Sequence, residues 1–207
     1  MDINKVATLA TRIKKVNKAE AFAILRGYIA VGGELTEQDC AELYSFFLPS
    51  LPAQAKTLEQ WVAKAVGDRD VRFYLNYLYS DGKYLIGTDG HRMHRIGTKL
   101  KAGYYDKALS KVEVDYKYPD TARFWETRKG EQTFDIVLAD LPVVEIETGC
   151  YWAYEIRIPG KKKRVYVNRP YLVDAVNRAE GGKVTVLDSD SHVIVDGNAV
   201  VMPMRRD

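Results

Sequence analysis

Asp89, His91 and His94 stand in an Asp-x-His-x-x-His pattern, and a carboxylate with two imidazoles can hold zinc or another divalent ion that activates water for hydrolysis. No second ligand set and no general base accompanies the pattern, so a metal-dependent hydrolase stays the remote alternative. Elsewhere no acid and base pair, no nucleophile with a histidine partner and no phosphate-cradling glycine loop stands out. His192 reads as a hairpin residue. Cys40 and Cys150 are far apart and lack a neighbouring Cys or His at metal spacing, which argues against a zinc site and a disulfide framework. The expectation is a binding protein with no catalytic residue, no cofactor and no metal.

Two further groups carry the chemistry of contact. Lys161-Lys162-Lys163-Arg164 is the densest positive patch, suited to phosphate and equally to an ordinary solvated loop. Tyr104, Tyr105, Tyr116, Tyr118, Phe124, Trp125, Tyr151, Trp152 and Tyr154 could stack unpaired bases, but aromatic residues more often build cores. The chain as a whole does not decide: 31 basic against 28 acidic residues leave a formal charge of +3, so any DNA-binding face must be local.

The elements that position these residues are legible in the pattern. With 207 residues, 46% of them hydrophobic, the chain can bury one good-sized core or two small ones. Residues 1–55 read as helical, with Val6, Leu9, Ile13 and Val16 at helical spacing. Charge interrupts residues 1–30 every few positions, so neither a signal peptide nor a membrane span is expected there. Thr57-Leu58-Glu59-Gln60 has capping-box spacing, and Leu58, Trp61, Val62, Ala65 and Val66 form one apolar stripe, which predicts a short amphipathic helix. Arg72 to Tyr79 reads as a strand leading into the Ser80-Asp81-Gly82 turn. Lys83 to Gly87 is its return, and Arg92 to Gly97 a third strand after the Thr88-Asp89-Gly90 turn.

The same order returns at the other end. Val165 to Val167 is a strand, and Asn168 with Pro170 starts a helix carrying Tyr171, Leu172, Ala175, Val176 and Ala179, which Gly181-Gly182 should end. Strands follow at 184–187, 192–195 and 199–202, the last two joined by the type I′ signal Asp196-Gly197. A unit used twice cannot cover its own sheet, so the two should pack side by side with both helices on one face. Between them, residues 100–163 read as a β-rich insertion or small second lobe, strand-like at 112–118, 134–139, 143–147 and 152–158. The expected architecture is α+β: a helical region over 1–55, then a domain over 56–207 whose halves, 56–99 and 164–207, flank the insertion 100–163.

Asp70-Val71-Arg72-Phe73-Tyr74-Leu75-Asn76, followed by Thr88-Asp89-Gly90-His91-Arg92-Met93, resembles the middle domain of the β sliding clamp of bacterial DNA polymerase III. Val200-Val201-Met202-Pro203-Met204-Arg205 resembles that clamp's C-terminal tail, and Tyr118-Pro119-Asp120 with Arg123 is similar to a segment at a clamp domain junction. The motifs stand in the clamp's order, and the resemblance covers roughly half the chain.

The resemblance implies a sliding-clamp-like fold, in which helices line the hole of a ring that encircles duplex DNA without reading its sequence. It also implies a hydrophobic groove that captures short linear peptides of DNA polymerases and other replication proteins. Carried over by position, the groove residues are Thr88, Gly90, His91, Arg92 and Met93 on one side and Val201, Met202, Pro203, Met204 and Arg205 on the other. Flexible, polarizable methionines suit varied apolar anchors, although Thr88-Asp89-Gly90 taken alone is a common turn. For DNA, the helix faces opposite the apolar stripes offer Lys64, Arg169 and Arg178, with Arg69 and Lys183 near the helix ends. The implied function is a processivity or tethering accessory of DNA replication. It would be a homo-oligomer in the cytoplasm of a bacterial or phage-infected cell, with no membrane partner and no enzymatic activity. The alternative is a non-ring adaptor or decoy that binds proteins without encircling DNA.

Overall fold

The computed structural model describes residues 55–147, 151–176 and 181–205. The helical reading of residues 1–54, and Cys40, Cys150, Arg178 and Ala179, lie outside them. Helix α1, Leu58–Ala63, starts at the capping box: Thr57 Oγ1 accepts the Gln60 N–H at 3.2 Å, and the Gln60 amide oxygen accepts the Lys56 N–H at 3.1 Å. It is shorter than its apolar stripe. Ala65 and Val66 follow in tighter turns, donating to the Val62 and Ala63 carbonyls, and both remain buried.

The segment Arg72 to Tyr79 is not one strand. The Asn76 amide donates to the Asp70 and Phe73 carbonyls at 2.9 and 3.2 Å and its oxygen accepts the Asp70 N–H at 2.8 Å. Short polar side chains compete with ladder bonding for the backbone. Phe73–Asn76 therefore winds into a 3-10 turn, and only Leu78–Ser80 remains as β1. β2 (Tyr84–Thr88) and β3 (Arg92–Gly97) complete an antiparallel meander.

Residues 100–163 do not stand apart as a lobe; they supply β4 (Gly103–Tyr105), β5 (Lys111–Val112), β6 (Gln132–Val137), β7 (Val143–Glu147) and β8 (Tyr151–Arg157) to two sheets. β9 (Arg164–Asn168) leads into α2 (Arg169–Val176), where Asn168 Oδ1 accepts the Tyr171 N–H at 3.2 Å. β10 (Gly181–Val186), β11 (Val193–Val195), β12 (Ala199–Val201) and β13 (Pro203–Met204) follow. Asp196 and Gly197 turn between β11 and β12 with φ of 49° and 68°, as a type I′ turn requires.

Nine strands form one sheet in the order β5-β4-β1-β2-β3-β12-β11-β10-β6, and the other is β13-β9-β8-β7. In the large sheet the β1-β2-β3 and β10-β11-β12 meanders meet at a β3 and β12 seam, where Met93 faces Val200 and His94 faces Ala199. The two helix-and-strand units thus share one sheet, the α+β arrangement their duplication predicted. α1 packs on β2 and β3, while α2 packs on β12 and also on β8 and β9 of the second sheet. Among the described residues no helix is long and apolar enough to cross a membrane.

Gly181 and Gly182 open β10; residues 177–180, between them and α2, lie outside the described residues. A Cβ on Gly181 would lie 1.9 Å from the Ile136 carbonyl oxygen, so glycine here permits the close approach of β10 to β6. Gly181→Ala is expected to destabilise the fold by about 1–3 kcal/mol. Loss of amide-exchange protection across Phe134 to Val137 would place the damage at this seam, and unchanged protection would refute it.

Side chains alternate along β3, sending Arg92, His94 and Ile96 to the helix side and Met93 and Arg95 to the other. The helix side holds the larger core, which includes Trp61, Leu85, Leu172, Val195 and Val201. Ile86, Met93, Tyr104, Tyr118, Ile194 and Val200 form a smaller core on the opposite side, against which Phe124 and Trp125 pack. Tyr79 stacks on Tyr118 there, with ring centroids 4.3 Å apart and planes at 8°. Tyr104, Tyr105, Tyr118, Phe124, Trp125 and Tyr154 thus pack into cores and offer no open stacking surface, whereas Tyr116 is 61% exposed.

Candidate functional site

The loop between β2 and β3 is built by its own side chains. Thr88 Oγ1 accepts the Gly90 N–H at 3.0 Å and donates to the Arg92 carbonyl at 2.6 Å. Asp89 Oδ1 accepts the His91 and Arg92 N–H groups, both at 2.9 Å. Gly90 has φ of 88°, and the Arg72 guanidinium lies so close that a Cβ would meet Nη1 at 2.7 Å. Arg72 is itself held by Asp70, at 3.0 Å from Nε and 2.8 Å from Nη2, and donates to the Asp89 carbonyl at 3.1 Å. Hydrogen bonds from the Arg72 side chain first, and then from its backbone, hold the Asp70 carboxyl down at about 2.

Beneath the loop, on the helix side, Arg92 ties the two units together. Its Nη1 donates to Asp174 Oδ2 at 2.7 Å, its Nη2 to the Lys64 carbonyl at 2.6 Å and its Nε to Asp89 Oδ2 at 3.1 Å. Its guanidinium also lies 4.4 Å from the Tyr171 ring centroid. Asp174, with its side chain 5% exposed, takes a second cation in Lys64. The Trp61 indole donates to the Asp174 carbonyl at 2.5 Å. Arg92, read from the resemblance as a groove-rim donor, is therefore mainly committed to the junction of the units.

On the opposite side of the sheet a pocket of about 200 Å³ opens between this loop, the chain end and a third segment. Leu75, Met93 and Val200 give it apolar lining, Thr88, Gly90, His91 and Arg92 border it with Arg72 and Tyr74, and Met202 and residues 119–121, 123 and 124 line the remainder. The loop and tail are bonded directly, the Met202 N–H donating to the His91 carbonyl at 2.8 Å.

Solved structures similar to this chain include β subunits of DNA polymerase III. The subunit from Pseudomonas aeruginosa is 17% identical over 84% of this chain and 70% of its own, with a TM-score of 0.48. The Thermotoga maritima subunit is 12% identical over 78% and 69%, with a TM-score of 0.49. The H. pylori β clamp is 11% identical over 76% and 69%, with a TM-score of 0.48. No protein-family model and no curated protein matches the chain.

Of the tail residues carried over by position, only Met202 borders this pocket. Val201 is fully buried in the helix-side core. Pro203, Met204 and Arg205 line a separate cavity of about 690 Å³, which Met202 also borders. The tail divides because β12 belongs to one sheet and β13 to the other, with Met202 at the crossing. Pro119, Asp120, Thr121, Arg123 and Phe124 line the pocket as well, outside the two groove borders carried over by position. Their signal was the Tyr118-Pro119-Asp120 match, which was read as a domain junction.

The cations read as DNA contacts do not share one open helix face. Lys64 is bonded to Asp174, and Arg169 is half-buried with its guanidinium 5.9 Å from the Tyr154 ring centroid. Residues 172–176 of α2 are all buried, since the helix packs against both sheets. Arg69 and Lys183 are exposed, the latter on β10.

Asp89, His91 and His94 do not converge either. Asp89 is bonded to the loop and Arg92, His91 is exposed, and His94 is buried on the helix side, stacked on Trp61 at 4.3 Å with planes at 12°. Among the described residues no three His, Cys, Asp or Glu side chains gather as a metal site. His94 Nδ1 lies 2.8 Å from the Trp61 carbonyl, which only accepts, so this nitrogen carries the proton and donates. Burial first, and Arg92 second among the lowering influences, bring its pKa to about 4.

Proposed function

We propose that this chain is a clamp-type accessory of DNA replication that captures short linear peptides of polymerases and other replication proteins in the pocket between the Thr88–Met93 loop and Met202. The observation that supports this reading is the direct bond from Met202 to His91, which brings the two motif segments to one pocket within one chain. Its methionine and leucine lining can adapt to apolar anchors, and its small volume suits side chains of an extended peptide. The proposal assigns no catalytic residue. Met202 is 37% exposed, so Met202→Ala should fold normally and weaken a labelled clamp-binding peptide about tenfold or more, as truncation of a central anchor does. Met204→Ala should weaken it less. Fluorescence anisotropy measures both, and an unchanged affinity for Met202→Ala overturns the groove.

For DNA, we propose non-specific contact with duplex phosphates through exposed cations such as Arg69 and Lys183 on a homo-oligomer of this chain. The use of Lys64 by Asp174 and the burial of α2 favour a second reading, an adaptor that binds peptides without encircling DNA. Sedimentation separates the two: a stable monomer at micromolar concentration excludes the ring.

A further inference from the structure

The second cavity, on the far side of Met202, differs in character from the first. It is lined by Lys163, Arg164 and Arg205, with Asp190 as its acidic member, alongside Tyr166 and Met204. Part of this charge is spent within the chain: Arg164 pairs with Glu155, and the neighbouring Lys161 donates to the Leu187 carbonyl. Lys163 and Arg205 are exposed and form none of the ion pairs among the described residues. Lys162, next along the chain, is exposed too, whereas Arg157, next along the sheet, pairs with Glu155 at 3.4 Å. The cavity therefore presents a surplus of positive charge at the edge strand β13.

We propose that this cavity binds an acidic flank of the same peptide whose apolar anchor occupies the first pocket, so that the chain selects peptides by charge beside the anchor. This rests on the peptide reading of the first pocket. Continuity supports it, because Met202 borders both cavities and an extended peptide advances about 3.3 Å per residue. A few residues bridge from one cavity to the next. Charge complementarity supplies the rest: glutamates placed there meet Lys163 and Arg205 at a solvent-screened surface, where each pair adds a few-fold.

Three labelled peptides test the proposal by fluorescence anisotropy at low salt. They share a leucine and phenylalanine anchor and carry a triple flank of serine, glutamate or lysine, placed at each end in turn. The glutamate peptide should bind about fivefold more tightly than the serine peptide in one of the two orientations, and salt should erase the difference. Lys163→Glu should reverse the order, favouring the lysine flank, while leaving the serine peptide unchanged. Equal affinity for glutamate and serine flanks, or a glutamate preference that survives Lys163→Glu, overturns the acidic-flank proposal alone. Binding of none of the three overturns the first pocket and this proposal together. Displacement of the glutamate peptide but not the serine peptide by a short DNA duplex reassigns the surface to nucleic-acid phosphate and overturns it as well.

Discussion

Asp174→Asn is expected to lower the unfolding free energy by about 3–5 kcal/mol, the usual cost of removing one partner from a buried ion pair. The carboxylate is 5% exposed and takes Lys64 and Arg92 together. An amide of the same shape keeps the packing but leaves two cations facing a group that cannot neutralise them. Arg92 is the more damaged, at 13% exposure against 22% for Lys64. Lys64→Met should therefore be milder, about 1 kcal/mol, because its charge is partly solvated and its stem is replaced. Urea midpoints at constant slope measure both. A loss below about 1 kcal/mol for Asp174→Asn would show that the network adds little. The effect should also reach the pocket, because the Arg92 carbonyl anchors the Thr88 hydroxyl, so peptide affinity should fall in the same variant.

The fold should weaken as pH falls from about 6.5 to about 4, and His94 should be the main cause. In the fold this imidazole titrates at about 4, against 6.5 when free. Between those values the unfolded chain takes up a proton that the folded chain refuses, so stability is complete above the upper value and declines towards the lower one. Over that interval the loss is about 3 kcal/mol, after which it levels off. His192, lowered by burial and then by Arg128, adds in the same direction. Asp70 acts lower down, its contribution being present above 3.8 and lost as pH falls towards about 2. His94→Gln can still donate to the Trp61 carbonyl but has no proton to gain. Its urea midpoint should fall less than that of the parent between pH 7 and pH 4.5, and parallel curves would exclude His94 as the cause.

What could be read in advance was local. The capping box at Thr57, the Asn168 start of α2 and the Asp196-Gly197 turn each depend on residues within a few positions, and each stands where its spacing placed it. The duplicated unit was legible for the same reason, and with it the shared sheet. What escaped depends on partners distant in the chain. Arg92 reads as a loop donor until its carboxylate, 82 positions away, is brought beside it. The burial of α2 follows from a second sheet to which the supposed insertion contributes β7 and β8. The tail motif reads as a continuous border, yet it changes sheets at Met202. The strand expected from Arg72 starts only at Leu78 because Asn76 bonds back to Asp70, a competition that strand propensity does not register.

The seam between β3 and β12 joins residues more than a hundred positions apart. Closing so long a loop is slow, because its entropy is lost before the ladder forms. Until the last strands arrive, β3 offers an unpaired edge to any neighbouring chain, a hazard for aggregation. The peptide pocket needs both sides of that seam, so ligand binding during refolding should lag behind the formation of α1 and the first meander. Its appearance would mark completion of the fold.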